Sequence, residues 1–134
     1  MLTHGIYLLD TDTCVELLKK NDCVLQHLEE VGVDNCKISD ITLAELYFGA
    51  FKSGKQKHFN DVHQISMLFE SCNVGYLKKD GEIRWQLESK GMKIGDMDIF
   101  IAATAIEEDF ILVTGNEDHF SRIPGLKIEN WMKK

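Results

Sequence analysis

GDMDIFIAAT, residues 95–104, sets two aspartates, Asp96 and Asp98, directly before an apolar run that reads as a buried helix. A helix apolar on every side belongs inside a layered protein rather than on its surface. The run continues through IEED into FILVTG, a short β-branched strand, so a buried helix feeds a buried strand. Helix N-termini favour aspartate, because its oxygens accept orphan backbone N–H groups and its charge suits the helix dipole. One cap needs one acid, which leaves the second to be weighed against the rest of the chain.

Outward from this stretch the same alternation recurs. HGIYLLD reads as a first short strand, followed by helices over TDTCVELLKKN and DCVLQHLEEV. NCKISD is a second strand leading into a helix over ITLAELYFGAFKSG, with Leu43, Leu46, Tyr47 and Ala50 at the helical period. Ser39 or Asp40 can cap that helix and Gly54 can end it. Lys55 to Ser71 reads as a further helix, CNVGYL as a strand, and KDGEIRWQLESKG as an amphipathic helix stopped by Gly91. After the strand FILVTG, NEDHFSRIPGL is a loop or short helix, and LKIENW a last strand. The expected fold is α/β, a three-layer α/β/α sandwich around a short, largely parallel sheet.

The 134 residues, 44% of them hydrophobic, suit one compact domain over 1–134. No apolar run approaches the roughly 18 residues of a membrane span. The start MLTHGIYLLDTD lacks the basic region of a signal peptide, so the expected location is cytoplasmic. The four cysteines (Cys14, Cys23, Cys36, Cys72) show no CxxC spacing and read as reduced thiols. His4, His27 and His119 read as isolated, and His58 and His63 as helix-surface residues. A net charge of −7 argues against nonspecific attraction to nucleic acid, but not against an acid pocket neutralised by a divalent metal.

In parallel sheets ligands collect beyond the carboxyl ends of the strands. Asp10 ends the first strand and Asn116 lies just past FILVT, which puts both on that rim. Glu45 sits one turn into the helix after KIS, and Asp98 begins the helix leading into FILVT. Each alone has an ordinary reading as a cap, a solvent-facing acid or a turn residue. Together they would repel one another unless a cation lay among them. Oxygen donors of this kind suit Mg²⁺ or Mn²⁺, and such a site activates water against a phosphodiester.

YLLDTDTCVELLK, ISDITLAELYFGA, IGDMDIFIAATAI and FILVTGNEDHFSRIPGLKIENW, in that order, resemble a PIN domain of the VapC type, the toxin half of toxin–antitoxin pairs. The resemblance implies a metal-dependent endoribonuclease whose catalytic and metal-holding positions fall on Asp10, Glu45, Asp98 and Asn116. Asp12, Thr114, Asp96 and Asp118 take supporting positions, Asp96 as a cap or outer group. It further implies Mg²⁺ or Mn²⁺ as cofactor, RNA as substrate, a VapB-type antitoxin as partner, and a homodimer. Tyr47, Phe48 and Phe51 exceed what one helix face needs and read either as core or as a groove for a partner helix. Lys52, Lys55, Lys57 and His58, with Lys78, Lys79 and Lys93, read as solvated charges or as phosphate contacts. Two positions depart from the family pattern: Asn116 cannot ionise, and Gly115 stands where a larger polar residue is common.

Two other readings compete. LLDTDTC nearly spells the DxDx(T/V) signature of haloacid-dehalogenase-type phosphatases, in which Asp10 would be the nucleophile. It fails at Cys14, lacks the class's Ser/Thr and Lys motifs, and leaves Glu45 unexplained. A catalytically inactive PIN module, its acid pocket receiving only a basic partner, is the nonenzyme alternative.

Overall fold

The computed structural model describes residues 5–133. Five strands, β1 (Tyr7–Leu9), β2 (Cys36–Ser39), β3 (Glu70–Cys72), β4 (Ile111–Val113) and β5 (Lys127–Glu129), form one sheet in the order β3-β2-β1-β4-β5. Every pairing is parallel. β1 lies at the centre, with Tyr7 opposite Cys36 on one side and Ile111 on the other. The helices are α1 (Thr11–Leu18), α2 (Asp22–Val31), α3 (Asp40–Ser53), α4 (Gln56–Leu68), α5 (Leu77–Ser89), α6 (Asp96–Glu107) and α7 (Glu117–Phe120).

Successive strand residues face opposite sides of a sheet, and the core divides accordingly. Leu9, Ile38 and Val113 pack with Leu17, Val24, Leu46, Val62 and Trp131 under α1–α4. Leu8 and Leu112 pack with Ile83, Leu87, Ile101 and Phe120 under α5–α7. This is the expected three-layer sandwich. Ile101 through Ala105 are buried without a break, which explains why α6 is apolar on every side.

Short connections follow from local chemistry. Ser39 Oγ accepts from Thr42 N at 3.1 Å and starts α3, and Gly54 ends it at φ +68. Two expectations move. The helix expected over Lys55–Ser71 stops at Leu68, and the strand expected over CNVGYL lies earlier, at Glu70–Cys72. β3 is an edge strand with Glu70 and Ser71 exposed, so it carries almost no apolar signal, and Phe69 at helical spacing extended the apparent helix into it. Leu77, placed at the end of that strand, instead opens α5.

All four cysteines are free thiols. Among the described residues no helix is long and apolar enough to cross a membrane.

Candidate active site

Because every strand is parallel, the residues after β1, β2 and β4 emerge on one rim. Asp10 follows β1 and is only 7% exposed. Its Oδ1 accepts from Thr11 N at 2.9 Å, capping α1, and its Oδ2 accepts from Thr114 Oγ1 at 2.9 Å. The ordinary reading as a cap is thus correct, and it occupies one oxygen. Thr114 Oγ1 also accepts from Asn116 N at 3.0 Å, so one hydroxyl ties the first acid to the fourth position.

Asp12 reaches across to the same loop, where its Oδ2 accepts from Gly115 N at 2.9 Å. Glu45 projects from α3 toward α1, its Oε1 accepting from Thr11 Oγ1 at 2.8 Å. Asp98 is half-buried in the first turn of α6. Burial raises its pKa, the Glu45 and Asp12 charges push the same way, and nearby His119 pulls it down. The Asp10 carboxyl is pushed up to about 7, first by burial, then by Asp12 and more weakly by Asp98. Asp10, Asp12, Glu45 and Asp98 therefore share one field. Among the described residues none of the four has a Lys or Arg partner.

The other expected residues fall outside this group. Gly95, not Asp96, is the N-cap of α6, and the exposed Asp96 faces Asp80 and Arg84 instead. Asp118 is exposed on α7, in the field of Lys133. Phe48 and Phe51 are 68% and 73% exposed, Phe51 edge-on to Phe59, while Tyr47 packs partly buried against the core. Lys57 pairs with Asp61 and Lys79 with Glu82.

Two participants escape a reading of the sequence. Thr11, which fixes Glu45, looks like any first-turn threonine. His119 bonds the Asn116 amide at 2.9 Å, although nothing in its surroundings marks it. Gly115 lies against Met132 and Asp12. A Cβ there would lie 2.3 Å from Met132 Cε, the free end of a flexible side chain, and 3.0 Å from Asp12 Oδ2. Gly115→Asn is expected to cost about 1 kcal/mol or less, because the Met132 methyl can swing aside, with part of the loss recovered by Met132→Ala. Urea denaturation of the two single variants and the double variant checks it, and strict additivity would contradict it.

A groove of about 380 Å³ opens beside Glu45, with Val15, Leu46 and Val62 in its wall and Lys57 and Asp61 at its edge. A larger groove of about 530 Å³, around Tyr76, Leu77 and Lys79, contains none of the clustered acids.

Among the described residues no three His, Cys, Asp or Glu side chains are placed together to hold a metal ion. A cation such as Mg²⁺ keeps several waters and needs only one or two carboxylates. The donors are oxygens and the unpaired acids lack a counter-charge, so the residues fit such an ion.

Fold and clustered carboxylates define a parallel α/β protein with an acidic rim. Comparison with known proteins narrows the class. The chain matches the PIN domain over residues 7–126. It is 40% identical to Ribonuclease VapC2 of Rickettsia felis, across 96% of this chain and 99% of that protein. It is 32% identical to the tRNA(fMet)-specific endonuclease VapC of Salmonella typhimurium, across 93% and 97%. Among solved structures, VapBC2 from Rickettsia felis bound to a promoter DNA fragment superposes with a TM-score of 0.87 at 38% identity, covering 94% of this chain and 98% of that one. DNA-bound VapBC from Salmonella typhimurium gives 0.88 at 32%, covering 95% and 98%. The chain belongs to the PIN domain family and groups with its VapC members. Membership displaces the phosphatase alternative, which also had no use for Glu45.

Proposed function

We propose that this chain, one PIN-like domain over residues 1–134, is a cytoplasmic endoribonuclease dependent on Mg²⁺ or Mn²⁺ and the toxin of a VapBC-type pair. One observation carries the reading: the carboxylates of Asp10, Asp12, Glu45 and Asp98, from the end of β1 and from α1, α3 and α6, lie in one another's field, and among the described residues none has a Lys or Arg partner. The names of the curated relatives support the nuclease activity.

Asp10 and Asp98 would hold the cation, with Glu45 and Asn116 assisting directly or through water. When bound, the ion supplies the positive charge that lowers the pKa of an attacking water and offsets charge growing on the phosphoryl oxygens. Thr114 and the α1 N-terminus fix both oxygens of Asp10, Thr11 fixes Glu45, and Asp12 holds the Gly115 backbone. The reactive group is thereby oriented before RNA arrives. A carboxylate of the same set takes the proton from the attacking water, and the phosphodiester breaks to leave a 3′-hydroxyl and a 5′-phosphate.

On this reading the antitoxin docks against the exposed Phe48 and Phe51 and the groove beside Glu45, where a partner helix would cover apolar surface and a basic side chain would reach the acids. A homodimer fits the family, and the solved relatives are VapBC complexes.

Cleavage of 5′-labelled tRNA and mRNA fragments by antitoxin-free protein tests the proposal. Cutting is expected with Mg²⁺ or Mn²⁺, is abolished by EDTA, and leaves 3′-hydroxyl ends. Undiminished cutting in EDTA would reject the metal mechanism. No cutting, with no metal binding by calorimetry, would favour the inactive partner-binding module.

A further inference from the structure

We propose that the groove between α1 and α4 is a base subsite, taking one unstacked nucleobase of the RNA beside the phosphate being cut. The inference rests on the nuclease reading above and says how the substrate is held. A chain of net charge −7 with acids gathered at its site does not attract RNA as a whole. Grip on the strand must come from apolar and basic surface near the acids, and single-stranded RNA offers bases as well as phosphates.

The groove is continuous with the acids. Thr11 and Glu45, joined at 2.8 Å, both line it, so an occupant lies directly beside the carboxylate cluster. Val15 of α1, Leu46 and Ala50 of α3 and Val62 of α4 give it apolar walls. Its volume of about 380 Å³ falls within the roughly 300–1,000 Å³ of pockets that bury small ligands. Gly49 keeps the space open. Helix interiors disfavour glycine, yet a Cβ at position 49 would meet nothing within 4 Å. No contact within the chain requires glycine there, whereas a larger side chain would occupy the groove. The larger groove at Tyr76 and Lys79 lacks this continuity, since none of the clustered acids lines it.

The rim supplies the rest of a nucleotide's chemistry. His58 brings an aromatic ring to the wall, its Nδ1 2.7 Å from Ser53 Oγ, which donates to the Ala50 carbonyl at 2.8 Å. The ring is thereby tied to α3, and unstacked bases stack on such rings. Lys19 and Lys57 flank the groove with side chains 68% and 78% exposed. Their partners, Glu16 and Asp61, sit one turn away on the same helices. Exposed pairs of this kind contribute little, so either ammonium can turn to a phosphate. Asp61 also lines the groove and can accept from a base amino group. A partner helix in the same groove excludes the base, so antitoxin and RNA compete for one surface.

The test compares, by fluorescence anisotropy, a short labelled single-stranded RNA of mixed sequence with the same strand built from abasic nucleotides. Both are titrated in Mg²⁺ with antitoxin-free protein carrying Asp10→Asn, which cuts too slowly to consume the probe. The bases are expected to tighten binding about 10-fold over the abasic strand. Gly49→Leu fills the groove and favours the helix. It is expected to remove that gain while changing abasic binding by about twofold or less. His58→Ala should lose roughly fivefold on the base-bearing strand, and His58→Phe should regain it. Thermal melts confirm that each variant folds.

Equal affinity for the two strands, or a Gly49→Leu loss of the same size on both, overturns the subsite and leaves the groove to the partner protein. Failure to bind either strand also overturns it. Cleavage by the wild type in Mg²⁺, run alongside, reads the nuclease proposal separately. Cutting without any base effect sinks the subsite alone, whereas neither cutting nor binding sinks both.

Discussion

Asp10→Asn is expected to reduce RNA cleavage by about 10³-fold while making the metal-free protein more stable. The two effects share a cause. Asp10 is almost wholly buried, faces Asp12 and Asp98, and has its carboxyl pushed up to about 7 from an ordinary 3.8. A folded-state pKa above the unfolded value means that folding favours the protonated form. The corresponding stability is fully present below about pH 4 and is lost as pH rises through 7. A shift of this size amounts to roughly 4 kcal/mol at its limit, and a gain of about 2 kcal/mol at pH 8 is expected when asparagine removes the charge. For a domain of this size that is a rise of roughly 5–10 °C in Tm. Asparagine keeps an oxygen for the Thr11 cap, so the helix start survives. Melts of both proteins in EDTA at pH 5 and pH 8 check the claim: the gap should be wide at pH 8 and narrow at pH 5. Adding Mg²⁺ should raise the wild-type Tm and leave the variant nearly unmoved. A variant less stable than wild type at pH 8 in EDTA would contradict it.

Trp131→Ala is expected to cost about 3–5 kcal/mol, enough to lower Tm by more than 10 °C. Although it lies past the last strand, Trp131 is fully buried in the layer under α1–α4. Its ring stacks on His27 at 5.6 Å and 8°, tilts against Tyr7 at 5.5 Å, and its Nε1 donates to Glu129 Oε1 at 3.0 Å. The neighbouring residues lean on the loop that carries Asn116. Met132 packs against Gly115, while Asn130 Nδ2 and Lys133 Nζ both reach Glu117 Oε2. Loss of the tryptophan should therefore weaken Mn²⁺ binding as well as the fold. Urea denaturation measures the first effect, and a cost below about 1 kcal/mol would show that the tail does not anchor the domain.

The acids were legible because of where they sit in the pattern. Asp10 ends an apolar strand, Asp98 opens an apolar helix, and Glu45 interrupts apolar neighbours. Parallel topology then carries strand ends to one rim without further information. Side chains that recruit one another across the fold left no such trace. The Thr11–Glu45 bond spans 34 positions and the Thr114–Asp10 bond 104. His119 reads as a lone histidine until α7 forms and brings it over Asn116. β3 was misplaced because an exposed edge strand needs backbone pairing and little apolar content, whereas α6 was unmistakable because it is buried throughout.

The central position of β1 has a consequence during synthesis. Its second neighbour, β4, lies more than 100 residues downstream, and Asp10 N donates to Val113 O only once β4 has docked. A chain emerging from the ribosome can pair β1, β2 and β3 early, yet Asp10 still lacks Thr114 and the pocket lacks Asn116. The loop bearing both then waits for β5 and Trp131 before it is held from behind. On the proposed function, a nascent chain that has yet to expose β4 and β5 carries all four clustered acids and no finished site.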